Sequence, residues 1–114
     1  MIFNKELIKG NLTTIVLSSL GNEERYGYEI IKRLDESSDG AFKMKEGTLY
    51  PLLHNLEFEG YIKSKEKKSE SGRKRKYYQI TKSGMRLLSE KKKEWNSFKL
   101  LVDHLVARRE GQYA

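Results

Sequence analysis

The sequence predicts a mainly α-helical chain that carries one small β-hairpin. Three observations support this fold class: apolar residues recur at helical spacing in four segments, two extended-chain segments flank a turn, and 114 residues suit one domain. Apolar residues make up 37% of the chain and charged residues 34%, so we expect a small core and a strongly solvated surface. An enzyme with separate cofactor and substrate domains is therefore not expected.

The first three helices are predicted from apolar periodicity and from the residues that interrupt it. Apolar side chains recur every three or four positions over residues 3–20, and again over residues 26–34 after a polar break. A third helix is expected over residues 46–60, because Pro51 is tolerated in a first turn and Gly60 suits the left-handed residue that ends a helix. One face of this helix carries four leucines: Leu49, Leu52, Leu53 and Leu56.

A β-hairpin is expected next, and it carries most of the net positive charge. Residues 61–67 and 74–81 favour extended chain, with turn residues 69–72 between them. Residues 63–76 contain eight positive and two negative side chains, a net charge of +6, against +7 for the whole chain. This cluster indicates a polyanionic partner, nucleic acid before membrane, although a solvated lysine-rich loop has the same composition.

A long fourth helix completes the predicted fold. Thr81 is a suitable N-cap, and the helix can run to about Arg109. Roughly 28 residues make a rod of about 42 Å, longer than the body before it, so part of its apolar seam must meet a partner. The element order is that of a winged helix-turn-helix: we expect residues 1–81 to bind DNA and residues 82–114 to form a dimerisation helix and tail. The seam comprises Leu88, Trp95, Phe98, Val102 and Leu105.

The sequence offers no site for catalysis, a metal or a cofactor. The absence of cysteine excludes disulfides, thiolate nucleophiles and cysteine-based metal sites. His54 and Glu57 stand three residues apart, but no further ligand type is near them in the chain, and His104 lies on another helix. The longest uncharged stretch, which begins at Gly10, is too short and polar to span a membrane. We therefore expect a cytoplasmic protein that is not an enzyme.

The polar face of the third helix and the hairpin tip are candidate DNA contacts. Hydroxyls of Thr48 and Tyr50 can bond phosphates or base edges beside the unpaired first N–H groups of the helix. Gly72 permits a tight turn, and Arg73 and Arg75 alternate along a strand, so they are expected to face the same side. An ordinary solvated helix face is the alternative. Opposite the leucines stand Gly47, Tyr50, Pro51, His54, Asn55 and Phe58.

Four short segments form an ordered set of motifs. They read Tyr-Gly-Tyr-Glu-Ile at 26–30, Glu-Gly-Thr-Leu-Tyr-Pro-Leu-Leu at 46–53, Leu-Glu-Phe-Glu-Gly-Tyr-Ile at 56–62, and Glu-Ser-Gly-Arg-Lys-Arg-Lys-Tyr-Tyr at 70–78, with Thr81 following. In this order they resemble the PadR family of bacterial transcriptional regulators. The long last helix, with no larger C-terminal domain, resembles the short-form subfamily.

The resemblance implies a homodimeric repressor of neighbouring genes that binds a pseudo-palindromic DNA operator and releases it when a small molecule binds. Asn55 stands where many members carry Arg, and Lys74 where many carry Pro or Arg, so these two residues depart from the family's pattern. The helix face, the hairpin tip and the family pattern together give the candidate DNA-binding residues Tyr26, Thr48, Tyr50, Pro51, His54, Asn55, Gly72, Arg73, Lys74, Arg75, Lys76 and Tyr77.

The tryptophan of the long helix suggests a second candidate site. Trp95 resembles the tryptophan that faces the dimer mate in drug-responsive short-form members. Aromatic rings paired across a two-fold axis can sandwich a flat aromatic or cationic effector, whereas the alternative is that Trp95 and Phe98 only pack the dimer interface. The candidate effector-binding residues are Trp95, Phe98, Leu12, Ile15 and Val16.

Two other functions fit the same basic hairpin. A winged-helix protein–protein adaptor could dock the hairpin on an acidic partner. Binding to an anionic membrane is the other, but that activity usually requires a cationic amphipathic helix rather than a hairpin.

Overall fold

Four helices and three strands make up the part of the chain that the computed structural model describes, residues 3–107. The mainly α-helical fold with a β-hairpin is confirmed, and the predicted helix end near Arg109 lies outside the described residues. The helices are α1 (Lys5–Leu20), α2 (Gly27–Ser37), α3 (Glu46–Phe58) and α4 (Lys82–Val106). The strands are β1 (Arg25–Tyr26), β2 (Ile62–Lys68) and β3 (Lys74–Ile80).

Side-chain caps and glycine set several of the helix ends. The Asn4 side chain accepts a hydrogen bond from the Glu6 N–H at 2.8 Å, which fixes the start of α1. Thr81 caps α4 as predicted, because its hydroxyl oxygen accepts from the Gly84 N–H at 3.0 Å. Gly60 follows α3 with φ of 83°, the left-handed conformation expected of it.

Helix α2 ends three residues later than its apolar spacing over residues 26–34 predicts. The Ser38 hydroxyl donates to the Leu34 carbonyl at 2.8 Å and accepts from the Phe42 N–H at 2.8 Å. The Ser38 backbone N–H also donates to the Leu34 carbonyl at 3.2 Å, so Ser38 caps the helix, which continues to Ser37. Ser37 is therefore the last residue of α2 and Ser38 its C-cap.

The expectation that Pro51 occupies a first turn is wrong. Helix α3 begins at Glu46, which places Pro51 in the second turn. Because proline has no N–H, the Gly47 carbonyl lacks its usual partner four residues on. Gly47 is exposed, so water can satisfy that carbonyl, and the helix continues through the proline.

The core lies between the C-terminal half of α1, the inner faces of α2 and α3, and one face of the sheet. Burial of α3 follows the leucine pattern, except that Leu52 is only partly buried. Strand pairing is antiparallel in the order β1-β3-β2, and the two-residue β1 was missed in the sequence. The largest fully buried side chains are Val16, Leu17, Leu20, Ile30, Leu49, Leu53 and Ile62.

Helix α4 extends beyond this body: Leu88 packs against the core, but the apolar seam from Trp95 onward stays exposed. The molecule measures 66 Å along its long axis and 30 Å across. No helix within residues 3–107 is long and apolar enough to cross a membrane. Large apolar side chains of α4 that remain exposed include Trp95, Phe98, Leu101, Leu105 and Val106.

Candidate nucleic-acid interface

Helix α3 presents an exposed polar face and an uncapped N-terminus. No side chain caps this helix at Lys45, and the first intrahelical bonds are those that Thr48 and Leu49 donate to the Lys45 carbonyl at 3.0 Å. The earlier N–H groups remain available to an anionic oxygen. The predicted face is confirmed as exposed: Gly47, Thr48, Tyr50, Pro51, His54, Asn55 and Phe58 all lie at the surface.

The orientation of Tyr50 depends on a glycine in another helix. The ring lies across Gly27 at the start of α2, and a Cβ at that position would come within 2.6 Å of the Tyr50 Cζ atom. Tyr50 nevertheless remains 42% exposed. The packing therefore holds the ring against α2 while its other side faces solvent.

An aromatic and cationic stack covers the outer face of the sheet. The Tyr26 ring meets the Tyr77 ring edge-on at 5.4 Å. The Arg75 guanidinium carbon lies 4.3 Å from the centre of the Tyr26 ring, and Lys67 Nζ lies 4.4 Å from the centre of the Tyr77 ring. Three candidate DNA contacts, Tyr26, Arg75 and Tyr77, are thus packed together and only partly exposed.

The hairpin of β2 and β3, residues 62–80, is the wing of this fold. Its two arginines, Arg73 and Arg75, do not alternate along one strand as expected. Strand β3 begins at Lys74, so Arg73 belongs to the turn and is exposed, whereas Arg75 is stacked on Tyr26. Gly72 adopts a φ of 83°, and its N–H donates to the Ser69 carbonyl at 2.8 Å, which confirms the tight turn. The turn therefore directs Arg73 outward from the hairpin tip without Arg75 beside it.

Two carboxylates from outside the hairpin neutralise part of its charge, a feature that the sequence analysis missed. Glu24, just before β1, contacts Lys65 Nζ at 2.9 Å and Lys67 Nζ at 2.7 Å. Hydrogen bonds from these two ammonium groups lower the pKa of Glu24 from 4.5 to about 2.

The second carboxylate acts on the opposite face of the hairpin. Glu57, near the end of α3, lies 3.3 Å from Lys76 Nζ and accepts a short hydrogen bond from the Ser64 hydroxyl. Its pKa is lowered, chiefly by the Ser64 bond and also by Lys76. Including Glu24 and Glu57, the hairpin surface has eight positive and four negative charges, a net charge of +4.

The wing cations without an ion pair among residues 3–107 lie mainly at the tip. Arg73 and Lys74 are exposed there, and Lys68 adjoins them at the end of β2. The remaining two are Lys63, nearer the body, and Arg75, which is stacked on the Tyr26 ring. Among the candidate DNA contacts of the wing, Arg73 and Lys74 are therefore the most accessible, while Lys76 is already paired within the protein.

A groove between α1 and α4 contains part of the candidate effector site. Trp95 and Phe98 line it together with Glu6 and Glu94, and its volume is about 470 Å³. The structure does not bring the other three candidates into this groove: Leu12 lines a separate groove, Ile15 is partly buried, and Val16 is fully buried in the core. Within residues 3–107, no group of three or more His, Cys, Asp or Glu side chains could hold a metal ion.

The comparison with known proteins decides the family. Residues 16–90 match the family described as Transcriptional regulator PadR-like family. This chain belongs to the PadR family. An uncharacterised protein of Lysinibacillus sphaericus is 38% identical over 98 residues, which cover 86% of this chain and 90% of the relative.

Two solved structures support both fold and family. A transcriptional regulator from Clostridium thermocellum has a TM-score of 0.81 and 37% identity, covering 90% of this chain and 99% of that one. A PadR-like transcriptional regulator from Bacillus cereus has a TM-score of 0.79 and 34% identity, covering 92% of this chain and 100% of that one. This PadR-family member is therefore a DNA-binding transcriptional regulator with a winged-helix fold, and it is not an enzyme.

Proposed function

We propose that this PadR-family regulator is a homodimeric, short-form repressor that binds a pseudo-palindromic operator beside neighbouring genes in the cytoplasm. The observation that carries the proposal is the exposed, uncapped start of α3, with Thr48 and Tyr50 beside it and the Arg73 tip on the same domain. In this proposal residues 1–81 bind DNA, with α3 in the major groove and the wing on the flanking backbone. Residues 82–114 form the dimerisation element and tail.

The uncovered seam of α4 supports the homodimer. The helix has 25 residues, a rod of about 37 Å at 1.5 Å per residue. Its exposed fractions, 43% for Trp95, 55% for Phe98 and 50% for Leu105, describe an apolar surface that a second copy would cover. A closed two-fold pairing uses the same surface on both copies and places two α3 helices at fixed spacing. Sedimentation should show a dimer at micromolar concentration, and a stable monomer there would contradict this arrangement.

Fluorescence anisotropy tests the repressor function. The duplex upstream of the protein's own gene should bind more tightly than a shuffled duplex of the same length. Replacing Arg73 and Lys74 by alanine should weaken binding to both duplexes and reduce the salt slope by about one unit per lost phosphate contact. Lys92→Ala, an exposed cation on α4 without an ion pair among residues 3–107, is the matched control.

Substitution of Thr48 separates DNA recognition from docking on an acidic protein. If α3 reads bases, Thr48→Ala should reduce the preference for the operator while leaving random-duplex affinity unchanged. Equal binding of operator and shuffled duplex by the unaltered protein would refute the repressor proposal. An adaptor that used only its wing would be insensitive to Thr48→Ala.

The α1–α4 groove supports release of the operator by a flat, cationic effector. Trp95 and Phe98 supply aromatic surface for stacking. Glu6 and Glu94 supply negative charge for a cation, which Lys91, 4.0 Å from Glu94, offsets only in part. Release requires that the effector bind the DNA-free dimer more tightly than the DNA-bound form. A planar cationic dye should quench Trp95 fluorescence and lower operator affinity, whereas an anionic dye of similar size should do neither. If the cationic dye leaves emission and DNA affinity unchanged, the effector proposal is wrong.

A further inference from the structure

Carboxylates of the same protein occupy part of the basic surface of the wing and would compete there with an external polyanion. Three of its eight cations, Lys65, Lys67 and Lys76, are ion-paired with carboxylates that lie outside the hairpin in sequence. Glu24 holds its two lysines on the outer face of the sheet, and Glu57 holds Lys76 on the face that meets the core. The paired cations lie along the arms, while the unpaired Arg73 and Lys74 lie at the tip.

Both carboxylates are positioned by the fold for this contact. The Glu24 side chain is only 22% exposed, and each of its oxygens faces a different lysine. Lys67 also lies over the Tyr77 ring, which further fixes its position. Glu57 is held by the Ser64 hydroxyl as well as by Lys76, so its carboxylate stays aimed at β2 and β3.

A phosphate that is to bind Lys65, Lys67 or Lys76 on the wing arms must compete with one of these carboxylates. Sequence-independent binding depends almost entirely on the number of phosphates that cations neutralise, whereas a protein docked through α3 has one register. In that register the tip meets the backbone, but a protein without a fixed register can present either face of the hairpin. Carboxylates on the arms therefore weaken binding to random DNA more than binding to the operator.

We propose that Glu24 and Glu57 are specificity-determining residues, which keep the lysines of the wing arms from DNA phosphates and so limit binding away from the operator. This inference rests on the proposed DNA-binding function. It assigns the two carboxylates a role in recognition although neither would contact a base. Both act through the lysines that they hold.

Glu24→Gln is the direct test, because glutamine keeps the shape of the side chain and removes its charge. Release of two lysines should steepen the salt dependence of random-duplex binding by up to about 1.8 units for each wing that contacts DNA. With that slope, lowering the salt from about 0.2 M to about 0.05 M should increase the variant's affinity for random duplex about 12-fold more than that of the unaltered protein. Affinity for the operator should change less, so the preference for the operator should fall.

Glu66→Gln is the matched control. It likewise removes one negative charge, here from β2 itself, but Glu66 has no ion pair within residues 3–107. Glu57→Gln should give about half the effect of Glu24→Gln, because it releases one lysine rather than two. If Glu24→Gln and Glu66→Gln steepen the salt dependence equally, only total charge matters and the proposal is overturned.

Elution from a heparin column separates this inference from the proposed function. Heparin is a polyanion without base sequence, so Glu24→Gln should elute at higher salt than Glu66→Gln whatever the protein does in the cell. Equal elution of the two variants would overturn the competition between carboxylate and polyanion. A later elution of Glu24→Gln together with no operator preference in the unaltered protein would support the competition and refute the repressor function instead.

Discussion

The close packing of the start of α4 against the sheet can be tested by adding a single methyl group. Gly84 is buried, and a Cβ at this position would collide with the Tyr61 carbonyl oxygen and lie 2.7 Å from Ile80 Cγ1. A carbon–carbon separation of about 3.5 Å would require a shift of about 0.8 Å at Ile80 alone. The carbonyl of Tyr61 is backbone and cannot rotate aside, so Gly84→Ala should force α4 away from the sheet.

We expect this substitution to lower the free energy of unfolding by about 2 kcal/mol. Overpacking against backbone costs about 3 kcal/mol, and the better helix propensity of alanine offsets about 1 kcal/mol of that cost. With an m-value of about 1.5 kcal/mol/M, the urea midpoint should fall by about 1.3 M at fixed protein concentration.

Gly47→Ala is the matched control, because a Cβ at Gly47 has no atom within 4 Å. This variant should unfold at the same urea concentration as the unaltered protein, or be more stable by up to about 1 kcal/mol. If Gly84→Ala shows the same midpoint as Gly47→Ala, the close approach of α4 to the Tyr61 carbonyl is refuted.

Three further predictions concern the cap, the recognition helix and pH. Thr81→Ala should lower the free energy of unfolding by about 1–2 kcal/mol, since it removes the cap of α4 and the bond to the Gly60 carbonyl; urea unfolding with Thr81→Ser as control checks this. Gly27→Ala should displace the Tyr50 ring and weaken operator binding in anisotropy. Because the folded-state pKa of Glu24 is lowered from 4.5 to about 2, its charge stabilises the fold above pH 4.5 and this contribution is lost as the pH falls through 2; urea unfolding of Glu24→Gln should therefore depend less on pH in that window.

Much of the fold could be predicted because it is locally encoded. The leucine spacing, the Thr81 cap and the φ of Gly60 each depend on residues within one turn of the chain, and all three expectations are confirmed. The errors occur where local signals compete with tertiary packing. Pro51 lies inside a helix whose other contacts outweigh the lost hydrogen bond, and α2 runs to Ser37, past the last residue of its apolar spacing.

The candidate site was less predictable because its charge balance depends on the tertiary structure. Glu24 and Lys67 are 43 positions apart in the sequence. The net charge of residues 63–76 therefore includes the lysines of the hairpin but not the carboxylate that faces two of them. The stacking of Arg75 on Tyr26 requires the two-residue strand β1, which is too short to produce a periodic signal. The exposed face of α3, by contrast, could be predicted, because the helical repeat fixes which residues share a side.

The pairing of β1 with β3 has a consequence for the order of folding. Arg25 lies opposite Tyr78, so this short contact closes a loop of 53 positions that contains α2 and α3, whereas β2 and β3 are joined by a local turn. Local hairpins form in about 1–10 μs, but a distant pairing must first overcome the entropy of closing its loop. The hairpin can therefore form before β1 joins it, and in the native state β1 can detach while β2 and β3 stay paired. Amide hydrogen exchange should be faster for the β1–β3 bonds than for those between β2 and β3.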